Sequence, residues 1–287
     1  MTARLLNGRD LASHLRRELR HRVETLIGDD PAAAPRLAIL RSRSGSSGSA
    51  ALYAASLERA ARSVGVEPVL LVEDTDAMVR MIDELNHDPT VAGIVVAQPL
   101  ADPQHARRVV ERIDPSKDVD GATPTHAGWL ARGEPAFVPA TALAVIAILE
   151  ACDIPVAGQR AVIIGRSAVV GRPVASLLLA RDATVVICHR STRNLARETR
   201  RAEILIAAAG VPGLVRPEMV NRSSVIIDCG INAVDGGVVG DVEFATVAPV
   251  VRAISPVPGG VGPVTPMMVL RQTVESAERA AQHHNET

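Results

Sequence analysis

The amino-acid sequence predicts an α/β protein made of two α/β domains with a cleft between them. Short apolar runs alternate with amphipathic helical patterns along most of the 287 residues; this alternation is typical of βαβ units around a parallel sheet. A polar stretch containing Gly and Pro, residues 114–139, interrupts the alternation. After it, the apolar run at residues 161–164 leads into a turn with Gly165 and, six residues later, Gly171. A strand, a glycine turn and a helix in this order are typical of a Rossmann-like dinucleotide-binding domain.

The interruption at residues 114–139 locates the junction between the two domains. We expect a first α/β domain at residues 1–140, joined by a C-terminal helix at residues 266–287. The second domain, at residues 141–265, is expected to be the Rossmann-like NAD(P)-binding domain.

The individual elements follow from periodicity. Apolar residues from Leu11 to Leu26 recur at helical spacing and predict an amphipathic first helix. Short runs rich in Val, Ile and Leu predict buried parallel strands. Strands are expected at residues 37–40, 69–72, 92–97, 161–164, 184–187, 204–208 and 225–228. Further helices are expected at residues 49–64, 76–85, 103–113, 141–152 and 191–201, and a final helix passes through Met268 and Val274.

Composition excludes several classes of function. The net charge is −1, and no basic tail is present, so neither nucleic acid nor an anionic membrane is an expected partner. The most apolar stretch, residues 138–152, contains Glu150 and is too short to span a bilayer. Cys152, Cys188 and Cys229 show no CxxC spacing, which argues against a disulfide framework and a zinc site. We expect a cytoplasmic protein without a metal.

The glycine turn also indicates which dinucleotide is bound. An acidic residue about 20 positions after the first glycine normally accepts the adenosine ribose hydroxyl. The sequence here has Cys188, His189 and Arg190, with Arg193 nearby and Arg166 in the turn itself. Arginines pair with phosphate, whereas a carboxylate repels it. NADP is therefore favoured over NAD, although a solvated loop arginine is an alternative interpretation of Arg190.

Five motifs carry a resemblance to a known family. They are GRSxxVGxP at residues 165–173, KDVDG at 117–121, DCGIN at 228–232, VGDV at 239–242 and SPVPGGVGPVT at 255–265. In this order the chain closely resembles the methylenetetrahydrofolate dehydrogenase/cyclohydrolase family. The resemblance implies a homodimer that binds tetrahydrofolate derivatives in the cleft between its domains. It also implies NADP-dependent oxidation of 5,10-methylenetetrahydrofolate to the methenyl compound in one-carbon metabolism, followed by hydrolysis to 10-formyltetrahydrofolate.

The resemblance also implies roles for individual residues. Those matching the cofactor site are Gly165, Arg166, Ser167, Gly171, Pro173, His189, Arg190 and Ile231. Those matching the folate site are Tyr53, Asp120, Pro258, Gly259, Gly260 and Pro263. Within these sets, Asp120 is expected to hold the pterin ring, and Tyr53 and Asp120 are the expected catalytic residues. Taken singly, the glycines and prolines would also fit an ordinary tight turn, and Asp120 a helix cap.

The chain departs from the family pattern at one place. The family has Tyr and Lys four residues apart on one helix, so both side chains lie on the same face. Here Tyr53 is followed by Leu57, and Ala97 stands where the family has the glutamine that tunes this lysine. Gln98 is one step away, which in a strand turns it to the opposite face. Lys117, the sole lysine, belongs to the KDVDG motif and is not an obvious substitute.

These observations lead to one hypothesis with two alternatives. The hypothesis is an NADP-dependent methylenetetrahydrofolate dehydrogenase whose cyclohydrolase activity is weak or missing. One alternative is an NADP-binding paralogue without turnover. The other is a dehydrogenase of a different reduced pterin or cyclic imine, which the unusual Ser- and Gly-rich loop at residues 42–49 leaves open.

Overall fold

The structure, a computed structural model, describes residues 3–30, 33–43, 48–98, 100 and 103–285. Residues 44–47, in the Ser- and Gly-rich loop, lie outside the described part of the chain. The strands are β1 (Arg4–Leu5), β2 (Arg36–Ser42), β3 (Glu67–Glu73), β4 (Val91–Val96), β5 (Arg160–Ile164), β6 (Thr184–Cys188), β7 (Ile204–Ala207), β8 (Val225–Asp228), β9 (Asn232–Val234), β10 (Gly237–Val239) and β11 (Ala253–Ile254). The helices are α1 (Gly8–Ile27), α2 (Gly48–Val64), α3 (Thr75–His87), α4 (Pro103–Glu111), α5 (Pro124–Arg132), α6 (Ala140–Ala151), α7 (Gly171–Leu179), α8 (Leu195–Thr199), α9 (Phe244–Val247) and α10 (Val261–Asn285).

The chain divides into two compact units, each named here by its main sheet. The three-stranded unit comprises the described parts of residues 13–129, 135–138 and 266–287. The six-stranded unit comprises the described parts of residues 1–12, 130–134 and 139–265. Both units have parallel sheets flanked by helices, so the predicted α/β class is confirmed.

The three-stranded unit has the strand order β3-β2-β4, with all pairs parallel. Its core forms where apolar strand residues meet the apolar faces of α3 and α4; its members include Leu40, Met78, Ile82, Ile94 and Val109. The predicted amphipathic character of α1 is confirmed, because Leu15, Leu19 and Val23 are buried. Their spacing of four residues places them on one helical face.

The six-stranded unit has the order β1-β11-β8-β7-β5-β6, with all pairs parallel. Every residue of β7 and β8 is buried, as expected for apolar runs covered on both faces of the sheet. β5 lies between β6 and β7, so the next strand along the chain, β6, is added on one side of β5 and the one after it, β7, on the other. This is the topological switch point at which parallel α/β sheets bind ligands.

The structure differs from the sequence predictions at several places. Arg4–Leu5 pair with Ala253–Ile254 in the six-stranded sheet instead of belonging to a first domain at residues 1–140, because a two-residue strand has no detectable periodicity. The helix expected at residues 191–201 is shortened to Leu195–Thr199, since Asn194 has a left-handed backbone and its side chain accepts a hydrogen bond from the Arg197 N–H. Finally, Pro124–Arg132 is helical within the polar stretch at residues 114–139, for which no regular element was predicted.

Candidate active site

The turn after β5 requires both of its glycines. Gly165 has φ of +127°, and a Cβ atom there would overlap the carbonyl oxygen of Ala208. A Cβ atom at Gly171 would overlap the carbonyl oxygen of Gly165. The turn is joined to the neighbouring strand by the Gly165 N–H, which donates to the Cys188 carbonyl at 2.9 Å. The predicted reasons for both glycines, a tight turn and a close helix approach, are therefore confirmed.

Ser167 lies in this turn, four residues before α7 begins. Its hydroxyl oxygen accepts hydrogen bonds from the N–H groups of Val170 (3.1 Å) and Gly171 (3.4 Å). Arg166 and Ser167 are both exposed, whereas Pro173 is buried in the first turn of α7. A serine that bonds the N–H groups at the start of α7 and an adjacent exposed arginine leave this N-terminus suited to an anionic phosphate.

His189 and Arg190 lie in a closed turn at the end of β6. The His189 N–H donates to Thr192 Oγ1 at 2.8 Å, and the Thr192 N–H donates back to the His189 carbonyl at 2.8 Å. Arg190 and Arg193 are exposed, and neither forms an ion pair with any residue that the structure describes. This edge of the sheet thus presents cationic groups where NAD-specific proteins have a carboxylate.

Asp241, in the VGDV motif, organises the loop after β7. Its carboxylate accepts hydrogen bonds from three successive N–H groups, those of Ala209 (2.6 Å), Gly210 (2.9 Å) and Val211 (3.0 Å). It also accepts one from Asn232 Nδ2 at 2.9 Å. Asp241 is fully buried, and it therefore holds together two loops at the carboxyl edge of the six-stranded sheet.

Asp228, at the end of β8, bonds the backbone of the same loops, including that of Asp241 itself. Its carboxylate accepts from the N–H groups of Gly230 (2.9 Å), Asp241 (3.0 Å) and Val242 (2.9 Å). Burial raises the pKa of Asp228 to about 6, and the charge of Asp241 adds to the increase. Ile231, expected at the nicotinamide end, is 71% exposed between residues that these two carboxylates hold.

Both aspartates lie inside motifs of the sequence, but no role was predicted for either. A usable signal was present, because each follows an apolar run and lies within two residues of a glycine: Gly230 for Asp228 and Gly240 for Asp241. At Gly240, a Cβ atom would overlap the Asp228 carboxylate. Acidic residues next to such glycines are typical of buried loop anchors.

The loop at residues 256–263 is fixed to the start of α1. The Gly8 N–H donates to the Gly259 carbonyl at 2.9 Å, and a Cβ atom at Gly8 would overlap the Gly260 carbonyl oxygen. Gly259 has φ of +119°, and the peptide bond before Pro258 is cis. Pro263 lies in the first turn of α10, where its missing N–H costs no helical hydrogen bond. These residues form a loop of the six-stranded unit in which Gly259 and Gly260 are buried and Pro258 is exposed.

In the three-stranded unit, the structure brings Tyr53 and Asp120 together. Tyr53 is half-buried on α2, and Asp120 is half-buried in the loop after β4 and α4. Burial raises the pKa of Tyr53 well above its ordinary value, and the nearby negative charge of Asp120 raises it further. The phenol therefore stays protonated at neutral pH and can donate a hydrogen bond.

No amine accompanies this pair at the position expected from the family. Leu57, one helical turn after Tyr53, is completely buried, and so is Ala97. Gln98 is exposed, consistent with the prediction that its side chain lies on the face opposite to that of Ala97. Lys117 is bound elsewhere, since its Nζ donates to the carbonyls of Leu85 (2.8 Å) and Asp88 (2.6 Å) at the end of α3. Burial lowers the pKa of Lys117, while Asp88 and Asp114 oppose this change.

No group of three or more His, Cys, Asp or Glu side chains within the described ranges is arranged to hold a metal ion. None of the helices described is both long and apolar enough to cross a membrane.

A parallel sheet with a glycine turn at its switch point and a cationic edge defines a dinucleotide-binding α/β protein. Comparison with known proteins identifies the family of such proteins to which the chain belongs. The chain belongs to the tetrahydrofolate dehydrogenase/cyclohydrolase family: residues 6–120 match its catalytic domain and residues 139–281 its NAD(P)-binding domain.

Curated relatives and solved structures agree with this assignment. The bifunctional protein FolD of Parafrankia sp. is 46% identical over 276 residues, covering 96% of this chain and 99% of the relative. The dehydrogenase/cyclohydrolase FolD of Campylobacter jejuni is 37% identical with a TM-score of 0.90, covering 96% of this chain and 98% of that one. The Trypanosoma brucei enzyme, solved with NADP cofactor and inhibitor, is 32% identical with a TM-score of 0.92, covering 98% and 99%.

Proposed function

We propose that this protein oxidises 5,10-methylenetetrahydrofolate to 5,10-methenyltetrahydrofolate with NADP as hydride acceptor, and that it hydrolyses the methenyl product weakly or not at all. The observation that carries the second half is Leu57, a fully buried leucine at the position matching the family's lysine. The first half is supported by family membership together with the retained Tyr53, Asp120 and glycine turn.

The residues present fit NADP. The turn at Gly165 and Gly171 excludes any side chain, which lets a pyrophosphate approach the backbone closely. Arg190 is exposed beside it and is suited to pair with the 2′-phosphate that distinguishes NADP from NAD. When bound, NADP supplies an electrophilic nicotinamide ring, and the chain's own contribution is to orient that ring.

Tyr53 and Asp120 are the proposed folate-binding and catalytic pair. A carboxylate has two acceptor oxygens in one plane and can accept from the amino group and a ring nitrogen of a pterin. Because the pKa of Tyr53 is raised, its phenol remains a donor next to Asp120. Pro258, Gly259, Gly260 and Pro263 are proposed to border the folate, as their match to the family implies.

The two reactions depend differently on the missing lysine. Hydride transfer depends chiefly on the relative position of two ring systems, which shape and hydrogen bonding determine. Hydrolysis also requires a group that activates water and moves protons, and a positioned acid or base contributes roughly 10²–10⁴-fold in rate. Leu57 cannot do this, and Lys117 is already bound to two carbonyls. Oxidation is therefore expected to persist while hydrolysis is lost.

Two assays on the wild-type protein test the proposal. NADPH formation from 5,10-methylenetetrahydrofolate should be readily measured, and the decay of added methenyltetrahydrofolate should be at or little above the uncatalysed rate. Absence of NADPH formation in a protein that binds NADP would overturn the dehydrogenase assignment. Fast enzyme-dependent decay of the methenyl compound would overturn the proposed weak or absent hydrolysis.

Replacement of Leu57 provides a gain-of-function test. Leu57→Lys should raise methenyl hydrolysis, because burial lowers the pKa of a lysine and so favours the neutral amine that acts as a base. Leu57→Met is the matched control, since it keeps the volume and the apolar character. Equal hydrolysis by both variants, with both folded, would show that position 57 does not control this reaction.

The proposal includes a cytoplasmic homodimer. Support comes from the family resemblance, from the unpaired edge of β6 with Ile187 exposed, and from three cysteines without disulfides, which suit a reducing compartment. Sedimentation equilibrium should give twice the chain mass; a monomer at micromolar concentration would contradict the dimer. Fractionation of the native cells should recover the protein with cytoplasmic markers.

A further inference from the structure

We propose that Gln272, on the C-terminal helix α10, is a positioning residue for Asp120. Gln272 acts through the backbone of the KDVDG loop and lies outside the sequence motifs. This role rests on the proposed function, in which Asp120 is the carboxylate that binds the folate.

Gln272 uses its whole amide group inside the three-stranded unit. Its Nε2 donates to the carbonyls of Val119 (2.8 Å) and Val138 (2.9 Å), and its Oε1 accepts from the Val138 N–H at 2.8 Å. The side chain is buried, as are Val119 and Val138. Two donors and one acceptor at fixed directions are a set that no other side chain of this length supplies.

The other residues of the KDVDG loop are held by contacts of their own. Lys117 binds the carbonyls at the end of α3. The Asp118 carboxylate accepts from the N–H groups of Ala122 (3.0 Å) and Thr123 (2.8 Å), which shapes the turn that follows. One turn along α10 from Gln272, the Ser276 hydroxyl donates to the Ser116 carbonyl at 3.0 Å. Helix α10 therefore forms hydrogen bonds with the KDVDG loop at Val119 and with Ser116, the residue just before it.

Asp120 lies between the two tightest of these constraints. Val119, just before it, is bound to Gln272. Gly121, just after it, has φ of +56°, and a Cβ atom there would come within 2.5 Å of the Phe137 carbonyl oxygen. Because Gln272 binds residue 138 as well as residue 119, it holds together the two segments whose close approach sets the Asp120 backbone.

Loss of the Gln272 amide leaves buried groups without partners. The carbonyls of Val119 and Val138 and the Val138 N–H would each need a new hydrogen-bond partner. Movement of the loop toward water is the simplest way to provide one, and such movement carries Asp120 with it. Since the charge of Asp120 contributes to the raised pKa of Tyr53, displacement of Asp120 away from Tyr53 lowers that pKa.

The sole tyrosine of the chain, Tyr53, makes this displacement measurable. Growth on 3-fluorotyrosine labels this one position with a phenol that ionises at lower pH, and fluorine NMR follows its titration. Gln272→Leu should lower the pKa of the labelled phenol in the direction of the Asp120→Asn variant, which sets the full effect. Gln282→Leu, an exposed position on the same helix, is the matched control and should leave the titration unchanged.

Kinetics provide a second readout. Gln272→Leu should raise KM for methylenetetrahydrofolate by about tenfold or more, with a smaller change in kcat and an unchanged Kd for NADP. Gln272→Asn, which keeps the amide but shortens its reach, should give an intermediate effect and serves if the leucine variant does not fold. A folded Gln272 variant with the wild-type Tyr53 titration would overturn the inference. An inactive wild type would overturn only the proposed function, because the titration needs no turnover.

Discussion

Asp241→Asn tests whether one buried carboxylate organises the cofactor edge of the six-stranded unit. The substitution keeps the shape of the side chain but replaces one oxygen with an NH₂ group. In the wild type, Oδ2 accepts from the N–H groups of Ala209 and Gly210, and Oδ1 accepts from Val211 N–H and Asn232 Nδ2. Whichever way the amide is oriented, two donors lose their acceptor and face another donor.

The hydrogen-bond geometry gives the magnitude. Hydrogen bonds to a charged group contribute about 1.5–3 kcal/mol each, so two of them amount to roughly 3–6 kcal/mol. Two effects reduce this loss. Ala209, Gly210 and Val211 are exposed, so their freed N–H groups reach water, and removal of the charge relieves repulsion with Asp228. We expect a net loss of about 3 kcal/mol in the free energy of unfolding.

The assay is urea unfolding followed by circular dichroism, with a parallel thermal melt. A loss of this size lowers Tm by about 5–12 °C in a protein of this length. The control is Asp235→Asn, at an exposed position of the hairpin between β9 and β10, which should change stability by less than about 0.5 kcal/mol. NADP binding should weaken in Asp241→Asn and stay normal in the control. Equal stability of the two variants would refute the reasoning.

Two further predictions concern the same sheet. Because the pKa of Asp228 is about 6 when folded and about 3.9 when unfolded, the folded state binds more protons between these values, so stability falls as pH rises through about 6. Wild type should lose about 1 kcal/mol relative to Asp228→Asn between about pH 5 and pH 7; a pH-independent difference in urea unfolding would contradict this. Arg190→Ala should raise the calorimetric Kd for NADP by about tenfold or more, with little effect on the Kd for NAD. Arg222→Ala, at an exposed position in the same unit, should change neither Kd. An equal loss of affinity for both dinucleotides in Arg190→Ala would exclude a contact with the 2′-phosphate.

Most of the regular fold was predictable from local patterns. The buried strands β5, β7 and β8 are continuous apolar runs, and α1 has one apolar face, so their periodicity alone locates them. The two glycines of the dinucleotide turn were likewise visible from their spacing. Short elements such as β1 and β11 were not, because two residues make no period and their pairing joins Arg4 to Ala253.

The candidate site divides in the same way. The sequence alone shows that no lysine lies one turn after Tyr53 and that no carboxylate lies at the position of Cys188, His189 and Arg190. The proximity of Tyr53 to Asp120, the anchoring of Lys117 and the contacts of Gln272 are properties of the folded chain. Hydrogen bonds between residues more than 130 positions apart, as for Gln272, leave no trace in local spacing.

The sequence by itself determined the α/β class, the glycine turn and the leucine at position 57, where the family resemblance predicts a lysine, because each depends on residue type at a fixed local interval. Only the tertiary structure decided which acids are backbone anchors. The carboxylates of Asp118, Asp228 and Asp241 accept hydrogen bonds from backbone N–H groups, and the charge of Asp120 contributes to the raised pKa of Tyr53. The physical reason is burial: a carboxylate removed from water must find donors, and only the fold determines which donors are near it.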